Sequence, residues 1–294
     1  MARMSRREFN GYSIGAAAGF LVSGPLASRF LRLASAGKGE ISDSDKIVLS
    51  GRQQLITPEW FNEARICGHW LWNAEYQSTL HSEEKINREI DWAASAGYTV
   101  IFSGLPLGGR GILGINDPAV IDQMKKVADR CHKNNMKAIF HYVTLNIQKL
   151  DEEYEELTQI DALTGKPVEW TRRDGSHYFW ALCPNKPVVR KAHTEKLKEF
   201  FAETGMDGFF TDAYWRSLHA CACPYCREKL KKETGLILPD KSDKDFYGNF
   251  DNPDWRKWYR WRMKEMGDFL REVRGVLKDV RKDIIVTAYE AGAP

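Results

Sequence analysis

The chain has 294 residues, of which 43% are apolar and 28% charged, enough for a packed core and a solvated surface. That balance excludes a disordered or fibrous chain. Lysine and arginine number 43 against 40 acidic residues, but residues 1–36 hold five arginines and one glutamate. The remaining 258 residues therefore carry 38 basic against 39 acidic groups. No basic excess is left to bind nucleic acid, and a near-neutral surface suits a neutral substrate.

The first segment reads as an address. Ser5-Arg6-Arg7-Glu8-Phe9 matches the twin-arginine export pattern, an apolar Gly- and Ala-rich run follows from Ile14 to Leu26, and Ala34-Ser35-Ala36 offers a cleavage site. The run is too short and too Gly-rich to span a bilayer, so no membrane association is expected after cleavage. A signal peptide over 1–36, a linker over 37–60 and one domain over 61–294 are expected, with the mature protein periplasmic or secreted. The twin-arginine route carries folded chains, so thiol ligands could be loaded with metal in the reducing cytoplasm before export.

From Arg65 onward, strands and helices alternate. Arg65 to Trp72 reads as the first strand with its loop. Ser82 caps a helix to Ala96, with Ile86, Ile90 and the Trp92/Ala93 pair on one face, and Gly97 stops it. Tyr98 to Ser103 is the second strand. The loop from Gly104 to Asn116 is Gly-rich but lacks a phosphate-binding spacing. Asp117-Pro118 opens a helix to about Asn134, and Met136 to Tyr142 is the third strand.

A long excursion from Thr144 to Pro187 follows. It contains an acidic stretch from Asp151 to Glu156, a turn–strand–turn pattern to Gly175 and the aromatic run Tyr178-Phe179-Trp180. Excursions of this length commonly build the wall of a site. Pro187 to Thr204 is a helix, and Met206 to Phe210 is a short buried strand entered through the turn residues Gly205-Met206-Asp207-Gly208. Arg227 to Thr234 is a helix ended by Gly235, and Leu236 to Phe250 a loop. Trp255 to Val280 is a long amphipathic helix with Tyr259, Met263, Met266, Phe269 or Leu270, Val273 and Leu277 on its core face. Asp283 to Tyr289 is the fifth strand. Alternation of this kind predicts a parallel α/β sheet, either a barrel or an open doubly wound sheet.

The chemistry concentrates after the fourth of these strands. Asp212 stands at its carboxyl end, the edge where parallel barrels place catalytic groups, although an Asp there can also cap a helix. Tyr214 and Trp215 follow. Cys221, Cys223 and Cys226 then form a C-x-C-x-x-C cluster, and Cys183 is the best candidate for a fourth ligand of a tetrahedral zinc site, with His219 a weaker one. Six cysteines also pair evenly, so disulfides and free thiols remain alternatives.

Cys183-Pro184-Asn185-Lys186-Pro187 with Arg190, then a helix, a strand ending in a carboxylate, and C-x-C-x-x-C resembles the glycoside hydrolase family 42 β-galactosidases. Asp207-Gly208-Phe209-Phe210-Thr211-Asp212 also resembles the α-L-fucosidase-like barrels. The resemblance implies a (β/α)8 TIM barrel, a structural zinc held by cysteines, and a carboxylate at the end of the fourth strand. In the first group that carboxylate is a Glu after an Asn and acts as acid/base. Here Thr211-Asp212 stands instead, which removes the Asn that helps hold the sugar. In the second group the carboxylate is an Asp and acts as nucleophile. Only about five βα units are legible, so the barrel is expected to be incomplete in this chain, as a fragment or completed by a partner, unless more strands are present than the pattern shows.

Glycoside cleavage needs two carboxylates across the scissile bond. Asp212 is the first, and Glu290, at the matching edge of the next strand, is the second. His69, Trp70, Asn73, His141, Asn146, Tyr214 and Trp215 are the candidate sugar contacts, with Trp215 as the main stacking platform. The function expected is an exported glycoside hydrolase with a structural zinc and no organic cofactor, acting on a glycoside or oligosaccharide and open to homo-oligomerisation. A catalytically degenerate carbohydrate-binding barrel is the alternative. A zinc hydrolase is the weakest class, because a four-thiolate site has no open position for water.

Overall fold

The computed structural model describes residues 58–67, 82–104, 114–147, 152–171, 175–212, 215, 217–241, 243 and 245–288. The expected signal peptide, most of the linker, and His69, Trp70, Asn73, Tyr214 and Glu290 lie outside the described residues. Trp60 onward forms one unit.

Five strands make a wholly parallel sheet: β1 (Ile66–Cys67), β2 (Val100–Gly104), β3 (Lys137–Tyr142), β7 (Gly208–Thr211) and β8 (Ile285–Ala288), in the order β1-β2-β3-β7-β8. The five strands expected from the sequence are these five. The eight-stranded closure is not seen among the described residues, where β1 and β8 are the sheet edges. Between β3 and β7 the chain builds a second, antiparallel sheet of β4 (Asn146–Ile147), β5 (Glu169–Thr171) and β6 (His177–Ala181), ordered β4-β6-β5. The long excursion is thus a small folded layer rather than an open loop.

The helices are α1 (Glu59–Asn62), α2 (Glu83–Ser95), α3 (Pro118–Lys133), α4 (Glu152–Glu155), α5 (Pro187–Thr204), α6 (Pro224–Thr234) and α7 (Pro253–Val280). Their ends follow local chemistry. Ser82 accepts from Lys85 N, Asp117 from Ala119 N, and Asn252 from Asp254 N and Trp255 N, each satisfying a donor that the first helical turn leaves free. Gly205 and Gly235 end α5 and α6 in the left-handed region, at φ 71° and 73°. None of the described helices is long and apolar enough to cross a membrane.

The main core lies on one face of the large sheet. Phe140 and Phe209 meet Phe200 and Phe201 of α5, and α7 adds Trp255, Trp258, Met266, Phe269, Val273 and Leu277. Burying each such side chain contributes roughly 1.5–3 kcal/mol. Tyr259 and Met263, expected on the core face of α7, are only partly buried, because the buried stripe runs through Trp255, Trp258, Trp261 and Arg262 instead. Trp92 is likewise 51% exposed while Ala93 is buried, since adjacent helical positions diverge by about a quarter turn. The opposite sheet face carries Val100, Phe102, Ile139 and Ile285, with Trp60, Phe61 and Phe210 packed against them.

Two buried polar residues hold the frame together. Asp207, read from the sequence only as part of a turn, is 1% exposed. It accepts from Ala138 N at 3.0 Å, Lys137 Nζ at 3.1 Å and Arg281 Nη2 at 2.9 Å, and meets His132 Nε2 at 2.8 Å. A carboxylate this deep persists because it is fully paired. His193 of α5 is fully buried; its Nε2 accepts from Leu145 N at 3.2 Å and its Nδ1 lies 2.8 Å from Val189 O. That pattern fits the neutral ring carrying its proton on Nδ1.

Burial lowers the pKa of His193 from 6.5 to about 4, because charging it would desolvate an ion and set a proton on Nε2 against the Leu145 N–H. The unfolded chain takes up this proton near pH 6.5 and the folded chain only near 4. The stabilisation is therefore complete above pH 6.5 and is lost as pH falls from there through 4, by about 3 kcal/mol in all. Urea unfolding at pH 7 and pH 4.5 should show this slope in the unsubstituted chain, and His193→Gln should flatten it. An equal slope in both would remove His193 from the account.

Candidate active site and thiol centre

Strand β7 sets the site. Phe209 faces α5, while Phe210 faces the other side, its ring 5.2 Å from that of Phe102 and 4.7 Å from His141. Side chains alternate along a strand. Asp212, one residue past Thr211, therefore continues the face of Phe210 at the carboxyl edge of the sheet. β3 runs alongside in register, with His141 paired to Phe210. His141 Nε2 and Asp212 Oδ1 are 3.3 Å apart, so the structure brings together two of the residues singled out from the sequence. His141 is buried and the Asp212 side chain is 23% exposed, a carboxylate held by a rigid ring and open to one side. With its proton on Nε2, His141 donates to Asp212 and fixes the direction of the carboxylate.

Other candidates fall differently. Asn146 is buried in β4, and its Oδ1 has no hydrogen-bond partner among the described residues. Trp215 is only 6% exposed; its Nε1 donates to Arg262 O at 2.8 Å, and its ring lies 5.5 Å from the Arg262 guanidinium. That indole packs within the core rather than offering an open stacking face, which corrects the platform expected from its sequence position. Thr211, where the β-galactosidase pattern has Asn, is buried and donates to Thr144 Oγ1 at 2.8 Å.

The thiols form one centre. Cys183 follows β6, Cys221 and Cys223 precede α6, and Cys226 lies in its first turn. All four are at most 1% exposed, and their sulfurs lie within 4.8 Å of one another. Cys183 and Cys226 are 3.4 Å apart, Cys183 and Cys223 4.0 Å. A disulfide needs about 2.05 Å, so these thiols are unbonded. Zinc–sulfur bonds of about 2.3 Å put the edge of a tetrahedron at roughly 3.8 Å, within the observed spread. The donor set therefore fits a divalent metal such as zinc. His219 is not in the group; it lies 3.9 Å from Asp161.

Polar contacts and a helix end reach the sulfurs. Ile160 N donates to Cys221 Sγ and Asn185 Nδ2 to Cys226 Sγ, each at 3.3 Å. The N-terminus of α6, whose cap is Cys223, adds its dipole. Burial pushes the Cys183 thiol well above its ordinary range, while hydrogen bonds from Cys183, Cys221 and Cys226 hold Cys223 far below it. The excursion secures the centre through its backbone: Ala162 N donates to His219 O, Ala222 N to Ile160 O, and Asp161 bridges Ala220.

No protein-family model matches the chain, and no curated protein sequence matches it. Solved structures do. The chain is similar to α-L-fucosidase isoenzyme 2 from Paenibacillus thiaminolyticus, with 14% identity, a TM-score of 0.54, and 79% of this chain on 33% of that one. It is also similar to a β-galactosidase from the haloarchaeon Halorubrum lacusprofundi, with 12% identity, a TM-score of 0.54, and 76% of this chain on 36% of that one. The chain thus spans about a third of the length of each.

All six cysteines are unpaired and buried. Ellman's reagent should find essentially no reactive thiol in the native chain and six after denaturation with chelator and without reductant. A count of four or two would mean that disulfides form. What the likeness establishes is the fold alone: a parallel α/β sheet with flanking helices, of the kind found in part of these two structures.

Proposed function

We propose that this chain is an exported glycoside hydrolase whose chemistry centres on Asp212. The observation that carries the reading is the placement of Asp212 at the carboxyl edge of β7, an interior strand of the parallel sheet, oriented by buried His141 at 3.3 Å. Barrel enzymes put their reacting groups at that edge. The glycosidase-like fold supports the same reading without choosing a sugar.

In this reaction Asp212 acts as nucleophile on the anomeric carbon. Glu290 follows β8 by two residues in the sequence and is assigned as the acid/base partner, and sugar contacts come from His69, Trp70, Asn73, Asn146 and Tyr214. The bond to the leaving-group oxygen breaks as Asp212 attaches, the acid delivers a proton to that oxygen, and water then releases the sugar. Cys183, Cys221, Cys223 and Cys226 hold a zinc ion that is structural, since four thiolates leave it no position for water.

The test is a nitrophenyl-glycoside panel. Turnover is expected on at least one glycoside, and Asp212→Asn should reduce kcat by several orders of magnitude with KM little changed, the pattern of an interaction made only in the transition state. Unchanged turnover in Asp212→Asn would sink the assignment. One observation favours a second reading: Thr211 gives its hydroxyl to Thr144, so the usual sugar-holding amide has no substitute there. Sugar binding without turnover would establish a carbohydrate-binding barrel instead.

Export by the twin-arginine route would deliver the folded, metal-loaded chain. Replacing Arg6 and Arg7 together by lysine should hold the protein in the cytoplasm. Its undiminished appearance outside would refute that route.

A further inference from the structure

Arg262, in the middle of α7, is only 2% exposed. Its guanidinium lies 4.9 Å from the Trp258 ring, 5.5 Å from Trp215 and 5.8 Å from Tyr259. Nη2 donates to Ser217 O at 2.9 Å, and Nη1 donates to Leu218 O. Nε has no hydrogen-bond partner among the described residues, and no carboxylate among them forms an ion pair with this side chain. A buried guanidinium without a counter-ion is costly. Aromatic faces and carbonyl oxygens offset part of that cost, but none of them carries a full negative charge.

The missing charge lies a few residues away. Ser217 and Leu218, which Arg262 grips, lead directly into Cys221. Four thiolates around one divalent cation carry a net charge of −2, and this centre is as deeply buried as Arg262. The two N–H···S contacts described above are the uncharged part of its compensation. Burial lowers the Arg262 pKa to about 10, and Tyr259, then Cys221, Cys226 and Asp161, act against that fall; the Asp161 carboxylate is itself taken up by the Ser217 hydroxyl and lies 3.9 Å from His219. Arg227 also reaches the backbone of the knot, at Ala222 O, but it is only partly buried and shares its charge with solvent.

We propose that Arg262 is the buried counter-cation of a dianionic tetrathiolate metal centre formed by Cys183, Cys221, Cys223 and Cys226, and that it clamps the Ser217–Leu218 segment joining this centre to Asp212. This rests on the zinc reading above. It assigns Arg262 a charge-balancing role in metal retention, while the Trp215 N–H to its backbone carbonyl ties the same segment to α7 from the other side.

The experiment compares the full chain with Arg262→Gln and Arg262→Lys, reading zinc per chain and the chelator concentration that removes half of it. One zinc per chain is expected in the unsubstituted protein. Arg262→Gln should lose it at a chelator concentration roughly 10–100-fold lower, the range for groups that support metal ligands. Arg262→Lys, which keeps the charge, should lie nearer the unsubstituted chain. Equal retention in all three overturns the role of Arg262 and leaves the zinc reading intact. Equal loss in both variants overturns the charge argument in favour of the guanidinium fork alone. Absence of zinc from the unsubstituted chain overturns the zinc reading itself. Should Arg262→Gln fail to fold, the side-chain 15N–1H resonances of Arg262 decide in the unsubstituted chain as zinc is exchanged for cadmium: a shift supports the proposal, and resonances that stay in place refute it.

Discussion

A Cβ at Gly208 would lie 2.6 Å from Ile285 Cγ1 and 3.1 Å from Ile139 Cγ1. The middle of the sheet is closed too tightly for any side chain at that point, and much of the site follows from this. β7 can lie between β3 and β8 only with Gly208 turned to the face of Ile139 and Ile285. Alternation then sends Phe209 to the helices and Phe210 to Phe102 and His141, and it leaves Asp212 beyond the strand end on the His141 side. A shift of one residue would exchange these faces and put the carboxylate toward the helical core. At the opposite edge Asp207 reinforces the register, because its carboxylate joins α3, β3 and the segment before β8 through His132, Lys137 and Arg281.

The site and the thiol centre are neighbours along the chain, with eight residues between Asp212 and Cys221. That short span is held by side chains from α7, through Trp215 and Arg262, and by backbone bonds from the excursion, through Ile160 and Ala162. A metal in the thiol centre would stiffen one end of the segment whose other end is Asp212. This gives a structural metal a reason to lie near a catalytic edge without touching the reaction. It also gives the excursion two roles in one layer: it delivers Cys183 to the centre and places Thr144 against the end of β7.

Local patterns in the sequence determined the five parallel strands, the helix caps at Ser82, Asp117 and Gly235, and the position of Asp212, because short apolar runs between turn residues and capping side chains act over a few residues. The C-x-C-x-x-C spacing and Cys183 pointed to the same four thiols that the structure gathers, although sequence alone left disulfides open. Tertiary structure decided what depends on distant partners. Asp207 looked like turn chemistry because its partners are 69 to 75 residues away. His193 carried no signal, since only the approach of Leu145 makes it a buried acceptor. Trp215 appeared to be a sugar platform until α7 covered it, and Arg262 carried no signal in the sequence, since only the approach of Trp215, Trp258 and the Ser217–Leu218 segment buries it. Periodicity states which face of an element is apolar, but only packing decides what that face meets.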